Sequence, residues 1–420
     1  MAASLGYVLG RNWIPSAWAA DDTVPQSGEL KTGKQPYRVA KGQAKHVILL
    51  WMSGGPSHLD TFDPKPGTKQ SGGVNGIQAA DGLLISQKFP KLAQQGRHLC
   101  VLRGVTTKEG DHQQASYLMH TGYREQSGVQ FPGLGSIVWA EAKEDPASDL
   151  PSYVAMNGSG AGPGFYGPAY GPFVVTPGDK IPDIASPVSN AKIDERLRLL
   201  NILDNQFAGR TGASLAGQHQ QTNERAVRLS RSPMEKLFEL KGDNSKQAAR
   251  YGNSNFGKAC YIAKHLIRDG GVRFVEIEQN GWDTHGNNHE ATRQLCGSID
   301  TPFAQLLEEL AADGLLQSTL VLWMGEFGRT PDINSGGGRD HYPRCFSVCM
   351  AGGGVKGGQA VGSSNATGHE PVGEGITVPN LFYTICDACG IDATKVRDSA
   401  EGRPIQIVDR DAKPVPGIFN

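Results

Sequence analysis

The feature that most constrains this chain is the placement of its acidic and histidine clusters, each of which stands at the border of a short apolar run. Ser53–Asp63 follows His46–Met52, Asp111 and His112 follow Cys100–Val105, and Glu278 and Asp283 follow Val272–Ile277. Glu326 follows Leu320–Met324, and Asp340 and His341 precede Cys345–Met350. Short runs rich in Val, Ile and Leu, bounded by Gly and Asp, read as strands buried on both faces of a parallel sheet. In open α/β sheets, ligands collect beyond the carboxyl ends of such strands. Clusters converging on one sheet edge therefore predict a metal-binding active site.

With 420 residues, 38% of them hydrophobic, and 55 glycines, the chain can bury a large core as one elaborated domain. The formal net charge of −1 argues against general affinity for nucleic acid or anionic membrane surfaces. No apolar stretch reaches the roughly 18 residues that a membrane-spanning helix needs. The segment Met1–Ala20 ends in Ser16-Ala17-Trp18-Ala19-Ala20, which resembles the small-residue cleavage site of an exported protein. Only Arg11 supplies charge there, so the segment reads as the remnant of a longer signal peptide whose start codon lies upstream. The expected location is periplasmic or extracellular. Seven scattered cysteines do not make a disulfide scaffold, and Cys386-x-x-Cys389 reads as core packing or one local disulfide.

Along the chain, Asp21–Lys45 is a polar lead-in, and strand–loop–helix alternation runs from His46 to about Glu141. Asn157–Pro177 is rich in Gly, Pro, Tyr and Phe, which suits a wall or lid over a substrate. Helical periodicity in Ile193–Phe207, Asn223–Leu240 and Asn255–Asp269 predicts a helical insertion at about 190–255, within a domain running from residue 46 to residue 420. Gly252–Ala259 has phosphate-loop spacing, but Ala259 replaces the magnesium-binding hydroxyl. Gly162-x-Gly164-x-x-Gly167 opens no helix, so neither motif supports nucleotide binding.

The stretches Gly54–Asp63, Gly281-Trp282-Asp283-Thr284-His285, Gly325–Pro331 and Arg339-Asp340-His341-Tyr342-Pro343 resemble the alkaline phosphatase and sulfatase superfamily. The likeness spans about His46 to Asp392 and is strongest to an exported group known by a domain-of-unknown-function label. It implies a three-layer α/β/α sandwich with a mostly parallel central sheet and the site at the strands' carboxyl ends. Glu278 and Asp283 match that family's magnesium glutamate and zinc aspartate, and His341 matches its last zinc histidine. The next zinc histidine falls at Asn287, leaving His285 and His289 as the available imidazoles. Ser53 stands where the family has a metal-binding aspartate, His112 stands at its nucleophile position, and Glu326-Phe327 keeps only the carboxylate of an Asp-His pair.

The resemblance implies one metal site from Asp283, His341 and one of His285 or His289, holding a divalent ion, zinc first, with magnesium, manganese or calcium as alternatives. A second, rebuilt site would draw on Ser53, His58, Asp60, His112 and Glu326. For His112 the readings are metal ligand, histidine nucleophile, general acid/base and structural histidine; His120, two helical turns on, reads as a supporting residue. Arg103, Arg329 and Arg339 are candidate anion clamps, because a guanidinium matches phosphate or sulfate bidentately. With no Ser, Thr or Cys at the nucleophile position, hydrolysis of a phosphate or sulfate ester by metal-activated water is the expected activity. The Cys-x-Pro-x-Arg motif of sulfatases is absent. The expected ligand is a small anionic ester or a sulfated or phosphorylated glycan. The alternative is a non-catalytic, metal-containing protein that binds anionic glycans, and Phe327 packed into the second site would favour it.

Overall fold

In a computed structural model, the structure describes residues 42–141, 150–178, 188–211, 213–399 and 401–419; the segment read as an export signal and most of the lead-in lie outside them. The apolar runs form strands: β1 His46–Met52, β2 Leu99–Thr106, β3 Tyr153–Met156, β4 Phe173–Val175, β5 Phe274–Gln279, β6 Thr319–Met324, β7 Phe346–Gly352, β8 Gln359–Val361 and β9 Ile376–Thr377. They build a 9-stranded sheet in the order β8-β2-β7-β6-β1-β5-β3-β4, with β9 pairing to β2.

Strand β1 shows why this sheet must be covered twice. Its alternate residues divide between two cores, Ile48, Leu50 and Met52 in one and Val47, Leu49 and Trp51 in the other. Successive side chains of a strand point to opposite faces, so both faces are apolar and each needs a helical layer. Helices α5 (Asn255–Arg268) and α6 (Asn288–Ala312) bury Phe256, Cys260, Phe303 and Leu306 against one face. Helices α1 (His112–Thr121), α2 (Leu134–Glu141) and α7 (Val378–Cys389) bury Leu118, Ile137 and Phe382 against the other. Each fully buried Leu, Ile or Phe in these layers contributes roughly 1.5–3 kcal/mol. The result is the expected α/β/α sandwich.

Strand β5 pairs parallel with β1 and β3, and β1 pairs parallel with β6. Strand β7 is the exception, antiparallel to both β2 and β6. Its entry end, Phe346 opposite Val105, therefore lies at the carboxyl end of β2. This reversal explains why His341 stands before its strand while the other site residues stand after theirs: both placements reach the same sheet edge.

The periodicity in Ile193–Phe207 falls in α3 (Asn190–Thr211), which packs on α4 (Ala213–Arg231). The pattern read as reaching Leu240 ends at Arg231 and continues as a 3-10 segment, Pro233–Phe238. The apolar stripe Leu199, Ile202, Leu203 and Phe207 on α3 is 49–60% exposed instead of buried. All seven cysteines carry free thiols, so Cys386 and Cys389 serve as packing on α7. Among the described residues, no helix is long and apolar enough to cross a membrane.

Candidate metal centre

The loop after β5 is pinned before it reaches the site. Trp282 is fully buried and its ring meets Trp323 edge-on at 6.1 Å, while its backbone N–H donates to the Ser53 carbonyl at 3.1 Å. The Ser53–Gly55 turn comes close enough for this only because Gly54 has φ +117 and no side chain; a Cβ there would lie 2.4 Å from the Asp283 nitrogen. Asp283 is thereby projected half-exposed from a rigid turn.

Three imidazoles converge on one oxygen of that carboxylate. His285 Nε2 lies 3.1 Å from Asp283 Oδ1, and His112 Nε2 and His341 Nε2 each lie 3.3 Å from it. Arg329 also donates to this oxygen through Nη2. The ligand atoms of His112, Asp283 and His341 all fall within 4.8 Å of one another. His112 is presented by the first turn of α1, whose N-cap Asp111 accepts the Gln113 and Gln114 N–H groups at 2.9 and 3.2 Å. His341 is held by the short ladder that pairs His341–Tyr342 with Gly328–Arg329.

Each imidazole is anchored through its other nitrogen. His112 Nδ1 lies 2.7 Å from Glu326 Oε1, His285 Nδ1 lies 2.9 Å from Asp340 Oδ1, and His341 Nδ1 lies 2.8 Å from the Gly110 carbonyl. A carbonyl oxygen only accepts, so His341 Nδ1 carries the proton and Nε2 holds a lone pair. The carboxylate partners fix the same tautomer for neutral His112 and His285. Three lone pairs and a carboxylate oxygen then face one point, while the buried His112 Nε2 has no hydrogen-bond partner. A divalent cation fits this arrangement.

The electrostatics suit a ligand already ionised. Burial opposes the charge on Asp283, but the Arg329 hydrogen bond and guanidinium charge outweigh it and hold the carboxyl at about 2. Asp340 is likewise held low by its hydrogen bonds from His285 and Asn334.

Several expected site residues are placed elsewhere. Glu326, expected as a ligand, stands behind His112: its Oε1 takes the Gly54 N–H at 2.8 Å as well as His112, and the side chain is 2% exposed. His289 is exposed on α6, outside the cluster. Arg329, expected as an anion clamp, is fully buried and spends its donors on the Gly54, Gly55 and Arg339 carbonyls as well as Asp283. Arg339 and Asp60 form a buried pair, Nε to Oδ2 at 2.9 Å, and Lys88 Nζ takes the other oxygen at 2.8 Å. Asp60 is thus a structural counter-ion, with no oxygen left for a metal. His58 is buried with Nε2 2.8 Å from the Gly368 carbonyl, and burial lowers its pKa to about 4. Arg103 donates to the Phe62 carbonyl at 3.0 Å and pairs with Asp63 at 3.3 Å. Among the described residues the expected ligands of the rebuilt second site form no metal-binding group, and Phe327 is fully buried with its ring 5.0 Å from His112 and 4.6 Å from His341.

Ser53 and Glu278 lie in the wall of a cavity of about 1060 Å³ beside the cluster. The expected aromatic-glycine stretch supplies the opposite wall through residues 159–164 with Gly167 and Pro168. Behind Glu278, Glu276 accepts from His120 Nε2 at 3.1 Å and from the Tyr153 hydroxyl at 2.6 Å. Sequence reasoning missed Glu276, and it named Asp340 in a cluster with His341 without giving it the orienting role. The signals were the i, i+2 spacing of Glu276 and Glu278, which puts both on one face of β5, and the adjacency of Asp340 to His341.

A family model described as "Protein of unknown function (DUF1501)" matches residues 44–419. No curated protein matches the chain. Among solved structures, the lipoteichoic acid synthase LtaP from Listeria monocytogenes is 9% identical, with 91% of this chain and 78% of that one covered and a TM-score of 0.40. The alkaline phosphatase from the Antarctic bacterium TAB5 is 13% identical, with 83% and 98% covered and a TM-score of 0.36. The PsFucS1 sulfatase from Pseudoalteromonas sp. is 12% identical, with 84% and 68% covered and a TM-score of 0.35.

Proposed function

The chain belongs to the DUF1501 family, and from the site it carries we propose that it is a metal-dependent hydrolase of phosphate or sulfate esters. The observation that carries this reading is the meeting of three outward-anchored imidazoles at one carboxylate oxygen. His112, Asp283 and His341 would hold the cation, with His285 beside them. A cation bound there supplies Lewis-acid charge and lowers the pKa of water toward about 7.

The chain's own residues supply position and proton handling. Glu326 and Asp340 orient His112 and His285, and Arg329 keeps Asp283 ionised and fixed. The His112–Glu326 pair can also take a proton, as an imidazole backed by a carboxylate does. No hydroxyl or thiol nucleophile enters this arrangement.

A second reading, a non-catalytic glycan-binding protein, is favoured by one specific observation. Phe327 fills the ground beside His112 and His341 where a second cation would stand. The experiment that separates the two is an ester panel run on protein loaded with zinc, then manganese, then magnesium. Turnover of an aryl phosphate or sulfate that disappears on chelation and in Asp283→Ala supports the hydrolase. Absence of turnover on every ester, with the metal bound, leaves the binding reading. We place the activity outside the cytoplasm on the small-residue run Ser16–Ala20, which N-terminal sequencing of protein from the native host would test.

A further inference from the structure

The cavity beside the cluster has a chemistry at odds with a polyanionic ligand. Its described lining holds none of the cluster's own residues but two of their neighbours: Gln113, which follows His112 on α1, and Ser53, whose carbonyl accepts the Trp282 N–H one residue before Asp283. An ester held at the cluster would therefore have this cavity as its neighbouring space. The described residues lining it include neither Lys nor Arg, the side chains that bind phosphate and sulfate groups.

What lines it instead is amide, ring and carboxylate. Gln113, Gln126 and Gln130 offer donors and acceptors, and Trp51, Tyr117 and Phe131 offer apolar faces. The lining also holds three carboxylates, Glu125, Glu276 and Glu278, the hydroxyls of Ser53, Ser116 and Thr121, and the imidazole of His120. Glu276 has local partners, since His120 and Tyr153 both meet it. Glu278 is hydrogen-bonded to Ser53, and burial, with Glu276 and Glu326 nearby, raises its pKa; it sits against Gly158, where a Cβ would meet its Oε2 at 1.7 Å. A second phosphate or sulfate group in this space would meet carboxylates, and His120, the basic side chain among the described lining residues, is already taken up by Glu276. Sugar hydroxyls would meet amides and carboxylates, and the C–H faces of the ring would meet the aromatic side chains.

We propose that this cavity receives the uncharged, hydroxyl-rich part of the substrate, a neutral glycan bearing its single ester at the metal centre, and discriminates against glycans with additional anionic groups. At about 1060 Å³ the space is at the upper end of small-molecule sites, which suits more than one sugar ring. The inference rests on the hydrolase reading for the position of the ester, and on the cavity alone for the glycan.

The test uses the full chain with zinc bound and two independent readouts. In the first, kcat/KM is compared for p-nitrophenyl phosphate, sugar monophosphates and the matching sugar bisphosphates, in wild type and in the rim variant Glu125→Lys/Gln130→Lys. The wild type should prefer the monoester to the bisester by about tenfold or more, and the variant should narrow that ratio by a similar factor, as expected when repulsion is replaced by attraction. In the second readout, ligand-observed NMR and calorimetry compare gluco-, manno- and galacto-configured neutral tetrasaccharides with their multiply sulfated counterparts. Binding of a neutral member above its sulfated form supports the cavity assignment even where no ester is hydrolysed, so the two readings fail separately. Equal or tighter binding of the sulfated forms, no binding of any neutral member, or a bisester preference in wild type overturns the inference.

Discussion

Glu326 Oε1 lies 2.7 Å from His112 Nδ1, and this contact decides which imidazole nitrogen is left to face Asp283. The same oxygen accepts the Gly54 N–H, so the carboxylate that orients His112 also ties the end of β1 to the loop after β6. The acidic residue first expected as a ligand is thus the reason another residue can be one.

Glu326→Gln should weaken metal affinity about 10–100-fold without loss of fold, because partners that orient a ligating imidazole typically carry that much. Competition of the loaded protein with a chromophoric chelator measures it. Affinity equal to wild type would show that His112 is not held through this contact.

Arg329 should matter for folding more than for anion affinity. Replacing it by Met strands the buried Gly54, Gly55 and Arg339 carbonyls, at about 1–3 kcal/mol for a buried polar group left unsatisfied. Urea unfolding of Arg329→Met should show a loss on the order of several kcal/mol. A marginal loss of stability, with weakened phosphate binding instead, would restore the anion-clamp role.

The sheet was legible because β1 and β6 are nearly unbroken apolar runs followed by Ser53-Gly54 and Gly325, the pattern a strand covered on both faces requires. Asp283, His285 and His341 were legible because they sit at the borders of apolar runs. Arg339 and Arg103 were misread because a lone Arg beside a motif has the same appearance whether its fork meets a ligand or a carbonyl. Their partners, Asp60 and the Phe62 carbonyl, are 279 and 41 residues away in sequence. His289 lost to His285 because Asn287 adopts φ 48 and α6 begins at Asn288, turning the later imidazole out to solvent. Phe327 could not be placed from sequence at all: an aromatic beside an acidic ligand is equally compatible with a pocket wall or a plug.

The buried pair of Asp60 and Arg339 predicts acid sensitivity. Burial opposes ionisation of Asp60, but Arg339 and Lys88 overcome it and hold the carboxyl below its ordinary 3.8. A folded pKa below the unfolded one contributes stability that is present above about 4 and lost as pH falls through the folded value. Asp60→Asn should be destabilised at pH 7 by about 3–5 kcal/mol, as for a broken buried ion pair. Its deficit against wild type should shrink below pH 4, as followed by denaturant unfolding at a series of pH values. A deficit independent of pH would contradict the pairing.

His58 predicts a second, higher window. Burial lowers its pKa from 6.5 to about 4, so the folded state keeps it neutral while the unfolded state binds a proton. Wild-type stability should therefore fall as pH drops from about 6.5 to 4, and His58→Gln should flatten that part of the curve. Thermal unfolding at intervals across the window checks this, and an unchanged slope in the variant would assign the loss to other groups.

Metal analysis of the purified chain tests the central claim most directly. Protein prepared without chelator, or titrated with zinc, should hold one tightly bound divalent ion. X-ray absorption should show nitrogen and oxygen neighbours at about 2.0–2.1 Å. His112→Ala, Asp283→Ala and His341→Ala should each lose the ion, and with it the added thermal stability that binding to the native state confers, while keeping wild-type far-UV circular dichroism. Failure of the wild type to bind zinc, or undiminished metal content in all three variants, would contradict the account.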